Sequence, residues 1–271
     1  MVRVNTIEFA ADEPKYVVKS VAKALVALQY IEEAAGSAGL SLTEVAKAMG
    51  SSKSSALATL RTLQSFGLVA EGSDNGRQPR YRLGHALIRL GHNAGQQTTV
   101  AEVCMPVLQS LSSAARLTAR AAVLDRDGWA VAVARVDSPD HVRLDLRLGQ
   151  REWPHRSGLG KALMSALPTE DVDRIVDRLG MPANTPKTIV TKSALHAELE
   201  RARTDGFCLD DEEDADGIIC VAAPVLDQAG RPFAALSVTG VKTREFESGL
   251  TRIADLVKSH AADLSRTILP R

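Results

Sequence analysis

The sequence has no surplus of either charge sign and contains few cysteines. Its 33 Lys and Arg residues balance 33 Asp and Glu residues, so the formal net charge is zero, which at first argues against a nucleic-acid binder. Its three cysteines, Cys104, Cys208 and Cys220, are far apart and form no Cys-x-x-Cys pair. A disulfide framework and a zinc site are therefore not expected, and the thiols fit the reduced state of a cytosol.

Long apolar runs and common catalytic motifs are also missing. No apolar run approaches the ~18 residues of a membrane-spanning helix, and the first residues, MVRVNTIEFAADEPK, lack the apolar core of a signal peptide. We therefore expect a soluble, cytoplasmic protein with no membrane partner. The sequence has no G-x-S-x-G or H-E-x-x-H motif, and its six histidines are scattered. It predicts no catalytic residue, metal ligand or cofactor.

Two helical patterns follow each other closely in residues 41–69, SLTEVAKAMGSSKSSALATLRTLQSFGLV. Ser41 stands three residues before Glu44, which is the spacing of a capping box at a helix start. Apolar residues then recur every three or four positions up to Met49, and Gly50 ends the helix.

The second helix of this pair has a small, polar and basic outer face. Ser51 or Ser52 can cap it, and the stripe of Ala56, Leu60 and Leu63 predicts its buried side. Residues on the other side could enter a DNA major groove closely and donate to phosphates. On this helix the residues predicted to bind DNA are Ser52, Lys53, Ser54, Ser55, Ala58 and Arg61. An ordinary helical hairpin with a solvated face is the alternative.

A first helix and a hairpin flank the helix pair. Apolar spacing from Val18 to Ile31 predicts the helix, and GLVAEGSDNGRQPRYRLG predicts two strands around Asn75-Gly76. Between residues 37 and 96, seven Lys and Arg oppose three Asp and Glu. Together these features favour a winged helix-turn-helix, with solvation as the alternative role of the wing arginines. The arginines predicted to contact DNA from the wing are Arg77, Arg80 and Arg82.

Hairpins dominate the second part of the chain. Two strand patterns surround Asp127-Gly128, HVRLDLRL at 141–148 alternates as a third strand, and IICVAAPVL and PFAALSVTG supply two more. Helical patterns lie between these strands, and an amphipathic helix from Phe246 to Ile268 closes the chain. This order predicts an α+β architecture, an antiparallel sheet with helices beside it.

The predicted division of the chain has four parts. Residues 1–14 form a tail, 15–82 the winged helix-turn-helix, 83–97 a linker helix and 98–271 the second domain.

The stretch SGLGK at 157–161 is not a phosphate loop. A Walker loop needs Gly where the chain has His155 and Ser or Thr where it has Ala162, and the dinucleotide fingerprint fails as well. The backbone N–H groups of Gly158 and Leu159 could instead cradle a small anion at a helix start. Tight packing of that helix through its glycines is the alternative.

Two further features leave alternatives open. The five acids from Asp210 to Asp214 could suggest a metal site or a carboxylate pair, but no pair of histidines at metal spacing accompanies them, and we expect a solvated loop. Trp129 and Trp153 could each wall an apolar pocket or belong to the core.

Six segments together resemble the IclR family of bacterial transcription regulators. They are SVAKALVALQYIEEA, LTEVAKAMGSSKSSALATLRTLQSFGLV, RYRLG, HRSGLGKALMSALP, DGFCLDDEEDADGIICVAAPVLD and PFAALSVTG. The resemblance runs from about residue 16 to residue 268. It implies an N-terminal winged-helix DNA reader, a linker helix and a C-terminal effector-binding domain with a GAF-like or PAS-like sheet. It also implies dimers or tetramers that bind palindromic or repeated operators.

The resemblance further implies a site for a small organic acid or its derivative. Ser237 and Thr239 are two residues apart and so face the same side of a strand. The effector-binding residues that it implies are Ser157, Gly158, Leu159, Asp210, Cys220, Ser237 and Thr239. One departure is that Leu57 and Ala58 replace the family's usual His-Arg pair, so we expect less guanine reading there and more reliance on the wing arginines.

The sequence therefore predicts an effector-responsive transcriptional regulator that binds double-stranded operator DNA and a second copy of itself. Repression is favoured over activation. A cytosolic enzyme acting on a small carboxylate, with the N-terminal domain as an interaction module, is the alternative. A nonspecific architectural DNA protein would leave the large second domain unexplained.

Overall fold

The computed structural model describes residues 18–34, 39–73, 79–97, 99–140 and 144–268. The chain divides into two compact units between Ala94 and Gly95. This division falls inside the predicted linker helix, and the predicted limits at 14, 82 and 97 stay predictions. Among the described residues, no helix is both long and apolar enough to cross a membrane.

The described part of the N-terminal unit contains three helices, a hairpin and the start of a fourth helix. The elements are α1 (Lys19–Glu33), α2 (Leu42–Ala48), α3 (Lys53–Ser65), β1 (Val69–Ser73), β2 (Pro79–Leu83) and α4 (Ala86–Gln97). The hairpin is antiparallel, with Val69 opposite Leu83, and Leu40 adds a bridge to Tyr81. The predicted helices and wing strands are confirmed, whereas the turn at Asn75-Gly76 lies outside the described residues.

Local side-chain caps fix the boundaries of α2 and α3. The Glu44 N–H donates to Ser41 Oγ at 3.3 Å, and the Ser41 N–H donates to the Glu44 carboxylate at 2.7 Å, which is a capping box. Gly50 follows α2 with a φ of +55°, a value that glycine adopts without strain. The Ser55 N–H donates to Ser52 Oγ at 3.2 Å and caps α3. These contacts confirm the sequence-based boundaries.

The core of the N-terminal unit joins all three helices to the hairpin. Its buried residues are Ala27, Ile31, Val45, Ala46, Met49, Ala56, Leu60, Leu63, Val69 and Tyr81, which confirms the predicted stripe of α3. On α1, in contrast, Val18, Val21 and Leu25 recur at helical spacing and are each more than half exposed. The apolar period therefore located α1, but the core covers only the C-terminal half of that helix.

The C-terminal unit is built on one antiparallel sheet. Its further elements are α5 (Thr99–Ala115), β3 (Thr118–Leu124), β4 (Ala130–Val136), β5 (Arg151–Glu152), α6 (Gly158–Ser165), α7 (Thr169–Leu179), α8 (Lys192–Asp205), β6 (Cys208–Asp211), β7 (Ile218–Leu226), β8 (Pro232–Val241), α9 (Arg244–Ser248) and α10 (Leu250–Thr267). The strand order is β5-β4-β3-β8-β7-β6, and all neighbours are antiparallel. The predicted α+β class is confirmed.

Helices cover both faces of the sheet. On one face, α5 and α10 pack on residues such as Val221, Leu236 and Val238 in the largest core cluster. On the other face, α6 packs on a set of small residues, including Ala122 and Ala222. Because side chains alternate between the faces of a strand, each central strand supplies both cores.

The small residues let α6 lie close to the sheet and to the segment before it. A Cβ on Gly158 would lie 2.9 Å from Cys220 Sγ, and a Cβ on Gly160 would lie 2.3 Å from Pro154 Cα. Both distances are too short for real contacts, so α6 needs glycine at these two positions. The packing role that the sequence offered as an alternative for the SGLGK glycines is therefore present in the structure.

The prediction of a third strand at 141–148 is wrong for the residues of this segment that the structure describes. Residues 144–148 have no regular secondary structure, and 141–143 lie outside the described residues. The guanidinium of Arg135 donates to the carbonyls of Leu144 and Leu146, so these carbonyls are hydrogen-bonded without a strand partner. The sheet ends instead at β5, which pairs Glu152 with Ala130.

Replacing Gly160 by Ala should destabilise the C-terminal unit, because the new Cβ would clash with backbone atoms of Pro154. Overpacking of this kind costs about 1–3 kcal/mol. Differential scanning calorimetry of the intact protein should show a lower melting temperature for that unit. Gly91→Ala is the matched control, because Gly91 is also helical and no atom lies within 4 Å of its Cβ position. An unchanged transition in Gly160→Ala would contradict the packing described here.

Candidate functional sites

The outer face of α3 is exposed and carries positive charge. Ala56, Leu60 and Leu63 face the core. The predicted DNA-binding residues of this helix and its cap are all exposed; they are Ser52, Lys53, Ser54, Ser55, Ala58 and Arg61. Within the described ranges, neither Lys53 nor Arg61 forms a salt bridge. Their charges therefore remain available to an anionic partner.

The two described wing arginines differ in their surroundings. Arg82 is exposed. Arg80 is partly buried and donates to the Glu44 carboxylate at 3.1 Å and to the Gly39 carbonyl at 3.4 Å. The hydrogen bond from Ser41, with Arg80 as a smaller contribution, holds the pKa of Glu44 below its ordinary value. Arg80 thus links the wing to the cap of α2, while Arg77 lies outside the described residues.

Polar side chains form two rows across the face of the sheet that α6 covers. Strand pairing places Thr118 opposite Thr239 and Arg120 opposite Ser237. It also places Thr239 opposite Cys220, which stands opposite Asp210. Directly opposed residues of antiparallel strands have Cα atoms only about 4.5–5.5 Å apart. The strands thus bring together four residues that resemblance had implied as a site, and they add Arg120. We call Arg120, Asp210, Cys220, Ser237 and Thr239 the sheet-face site.

Several donors in the sheet-face site are buried without a partner. Ser237 is 0% exposed, Thr239 2% and Arg120 5%. Among the described residues, Arg120 Nε has no hydrogen-bond partner, and Ser237 Oγ and Thr239 Oγ1 have none beyond the thiol of Cys220, a weak acceptor whose pKa both hydroxyls lower. Leaving a buried polar group unpaired costs about 1–3 kcal/mol, so unpaired groups gathered at one place need an explanation.

Arg120 is held from the side by Glu152 of β5. Its Nη1 donates to the Glu152 carboxylate, and both side chains are largely buried. Burial alone would lower the pKa of Arg120, but the Glu152 carboxylate raises it above its ordinary value, so the guanidinium stays charged. The site therefore contains a permanent positive charge that is only partly neutralised.

The start of α6 adjoins the same rows. Ser157 Oγ accepts the Gly160 N–H at 3.0 Å and so caps the helix. In the described part of the chain, the Gly158 and Leu159 N–H groups make no backbone or side-chain hydrogen bond, as expected for the first turn of a helix. Because Gly158 packs against Cys220, these N–H groups lie beside the sheet-face site.

Two titratable groups in the site are neutral over much of the acid range. Burial raises the pKa of the Cys220 thiol to about 11. Burial also raises the pKa of Asp210 to about 7, although its Oδ1 accepts the N–H groups of Glu213 and Asp214 at 2.8 and 3.2 Å. Because Glu152 formally balances Arg120, the site together with this partner has no net charge while Asp210 keeps its proton, and it becomes negative as Asp210 ionises.

The acidic run from Asp210 to Asp214 is not the solvated loop that the sequence predicted. Asp210 and Glu213 are buried, and basic groups from distant segments pair with most of the run. The pairs are Asp211 and Glu212 with Lys187 and Lys242, Glu213 with Lys161, and Asp214 with Arg156. Within the described residues, no group of acids, histidines and cysteines is arranged to hold a metal ion.

Trp129 and Trp153 contact each other at the edge of the unit. Their ring centroids are 4.6 Å apart in an edge-to-face arrangement. Trp153 also meets the ring of His155, which is fully buried. Burial lowers the pKa of His155 and keeps the imidazole neutral. The role of either tryptophan as the wall of a ligand pocket stays a hypothesis.

Sequence reasoning missed Arg120 and Glu152. The signal that could have found Arg120 is a charged residue inside the apolar strand TARAAVL, since buried arginine is rare without a partner. Its partner, 32 positions away, could not be identified without the sheet register.

The N-terminal unit has the exposed basic helix and the hairpin of a winged helix-turn-helix, the fold of many transcription regulators. The sheet unit adds a buried polar site. Residues 92–266 match the family model for the bacterial transcriptional regulator IclR C-terminal domain, and residues 20–72 match the IclR helix-turn-helix domain. The chain belongs to the IclR family.

Named relatives and solved structures agree with this assignment. The chain is 32% identical over 250 residues to the acetate operon repressor of Salmonella typhimurium, covering 92% of this chain and 89% of that protein. It is 30% identical over 249 residues to the transcriptional repressor IclR of Escherichia coli, with the same coverage. An IclR transcriptional regulator from Alicyclobacillus acidocaldarius has a similar structure, with a TM-score of 0.77 and 26% identity over 93% of this chain and 99% of that chain.

The raised pKa of Asp210 makes stability depend on pH. The folded protein keeps this proton up to about pH 7, whereas an unfolded chain releases it near pH 4, so stability should fall as pH rises between these values. Asp210→Asn removes the titration and keeps an acceptor for the Glu213 N–H.

Calorimetry from pH 5 to pH 8 should show Asp210→Asn gaining stability relative to wild type by about 1.4 kcal/mol per pH unit. The gain should level off above about pH 7. Asp263→Asn replaces an exposed carboxylate and serves as the control, with a nearly constant difference from wild type. Parallel curves for wild type and Asp210→Asn would contradict the raised pKa.

Proposed function

We propose that this protein is an effector-responsive repressor of the cytoplasm. It binds operator DNA through α3 and the wing, and a small carboxylic acid or derivative in the sheet-face site. The observation that carries the proposal is that one chain contains two such features. Its helix α3 has an exposed basic face without salt bridges, and a separate unit contains buried donors that lack strong hydrogen-bond acceptors among the described residues. Ligand binding would then shift the population between arrangements of unequal DNA affinity.

The DNA-binding part of the proposal rests on the chemistry of α3. Small side chains at Ser54, Ser55 and Ala58 allow close approach to base edges, while Lys53 and Arg61 are free to neutralise phosphates. The relatives are named repressors, which supports repression as the sign of regulation.

The effector part rests on the donors of the sheet-face site. The hydroxyl groups of Ser237 and Thr239 and the N–H groups of Gly158 and Leu159 lie at the start of α6, and such a group of donors suits an acceptor-rich ligand. Asp210 and Cys220 complete its polar wall, and Ser157 acts chiefly by capping α6. A bound effector would satisfy groups that the protein leaves unpaired.

A regulator accounts for this site better than an enzyme does. Burial keeps the Cys220 thiol protonated, with a pKa of about 11, and a protonated thiol is a poor nucleophile. Asp210 uses one carboxylate oxygen to accept two backbone N–H groups, which is a structural arrangement.

The N-terminal unit has an exposed apolar surface that could join two copies of the chain. Val18, Val21 and Leu25 of α1 and Ile88 and Leu90 of α4 are large apolar residues with at least half of their surface exposed. We propose that a second copy of the chain covers them in a dimer or tetramer, which would pair two α3 helices for a repeated or palindromic operator.

Arg61→Ala and Lys53→Ala should each weaken operator binding, because each removes an unpaired charge from α3. Gel shifts with DNA from upstream of the protein's own gene should show a shallower slope of log affinity against log salt, by about 1 for each phosphate that the variant no longer neutralises. Arg244→Ala is the control, because Arg244 is exposed but lies in the other unit. Equal effects of all three substitutions would argue against α3 as the DNA-binding helix.

Ala58→Arg should create a guanine preference at one operator position, because an arginine fork donates to guanine O6 and N7 and discriminates by about 1–3 kcal/mol. Selection from a random DNA pool would measure it. Ala58→Gln is the matched variant and should favour adenine at the same position. If both variants select the wild-type bases, Ala58 does not face the bases.

A further inference from the structure

We propose that Arg120 is the residue that anchors a ligand carboxylate in the sheet-face site, with Glu152 as the positioning residue that fixes its guanidinium. In this arrangement the carboxylate accepts from the Arg120 Nε–H and from the Ser237 hydroxyl. The inference rests on the proposed function, because it names the ligand chemistry of the site proposed there.

The partners of Arg120 leave one edge of its guanidinium free. Glu152 takes Nη1, and the Nε–H points away from Nη1, along the edge that Nε shares with Nη2. In the described structure Nε is buried and without a partner. Arginine binds carboxylates through two parallel N–H donors on one edge, so the free edge has the geometry for a second carboxylate.

The free edge of Arg120 is directed toward the side of β3 on which Ser237 lies. Glu152 of β5 and Ser237 of β8 lie on opposite sides of β3, and the Nε–H bond points opposite to the Cζ–Nη1 bond that reaches toward Glu152. Ser237 stands opposite Arg120 in the register, and in the described chain its buried Oγ has no partner beyond the weakly accepting Cys220 thiol. The start of α6, with the N–H groups of Gly158 and Leu159, packs on the neighbouring row. Donors that converge in a buried place select a ligand with several acceptor atoms on one group, as a carboxylate has.

The charge of the site limits the ligand to a single negative charge. Arg120 supplies one positive charge, and Glu152 already neutralises part of it. A second negative charge would have to be buried without a partner, which is strongly unfavourable. A monocarboxylate therefore fits this site better than a phosphate dianion does.

Glu152 is well placed to hold Arg120 still. It lies on β5, two strands away from β3, and the β4 residues on the same face between them, Ala130 and Ala132, are small. The long arginine side chain can therefore lie across β4 and reach the carboxylate. Fixing the guanidinium at one end reduces the conformational entropy that ligand binding would lose.

The test compares acids with neutral molecules of the same shape. Acetate, propionate and benzoate, each paired with its amide, are titrated into the full-length protein by calorimetry. Wild type should bind at least one acid about tenfold more tightly than its amide, as expected for a charge-assisted hydrogen bond. The double variant Arg120→Gln/Glu152→Gln removes both buried charges together and should lose this preference. Glu152→Gln alone keeps the Arg120 charge and, through its amide oxygen, an acceptor for Nη1. This conservative variant should therefore still fix the guanidinium and retain the preference.

A further variant guards against a folding defect in the double variant. Arg120→Lys keeps the positive charge opposite Glu152 but lacks the planar N–H edge, so it should lower acid affinity about tenfold while calorimetry still shows a cooperative unfolding transition for the C-terminal unit. The proposal is overturned if wild type prefers none of the acids. It is also overturned if the double variant retains the preference, if Glu152→Gln loses it, or if Arg120→Lys binds acids as wild type does.

Gel shifts with and without each acid separate this inference from the proposed function. If acids bind through Arg120 but leave operator affinity unchanged, the proposed effector response fails and the anchor stands. If an acid changes operator affinity equally in wild type and in the double variant, the effector response stands and the Arg120 assignment fails.

Discussion

The ammonium group of Lys161 is fully buried and joins three parts of the C-terminal unit. It lies on α6, pairs with Glu213 after β6 and with Glu198 of α8, and donates to the Leu209 carbonyl at 2.6 Å. Burial alone would lower its pKa, but the two carboxylates raise it above the ordinary value. Removing one member of such a pair costs about 3–5 kcal/mol, because the other is left charged and buried. The sheet-face site depends on this contact, since α6 carries Gly158 and the acidic segment carries Asp210.

One face of the sheet contains both a packing surface and the sheet-face site because its rows change composition along the strands. Where α6 lies over the sheet, the rows contain Ala122, Ala222 and Ala235, which allow close helix packing. The row that contains Ala222 also contains Ser237 and Arg120, and the next row contains Thr239 and Cys220. The start of α6 lies on these two rows, because Gly158 packs against Cys220 and Ala222, and the polar groups are therefore buried beneath the first turn of the helix.

Features set by neighbouring residues could be predicted from the sequence. The capping box of Ser41 and Glu44, the buried stripe of α3 and the hairpin at Asp127-Gly128 depend on contacts within a few positions. Features set by distant partners could not. The alternation at 141–148 suggested a strand, but Arg135 takes the carbonyls of Leu144 and Leu146. The acidic run suggested a solvated loop because its partners lie far away in the sequence, as in the pairs with Lys161 and Lys187. A role for Arg120 in the site could be inferred only once the strand register had placed Ser237 opposite it.

The contacts of Arg80 restrict its side chain before any proposed contact with DNA. Its guanidinium is already engaged by Glu44 and the Gly39 carbonyl, so much of its rotamer freedom is gone before any duplex approaches. A long, unrestrained side chain such as that of exposed Arg82 gives up about 1–2 kcal/mol of such freedom on being ordered. In the proposed DNA complex the wing would therefore offer a phosphate one arginine that is preorganised and another that is adaptable, so that the first would set orientation while the second would tolerate variation in groove shape.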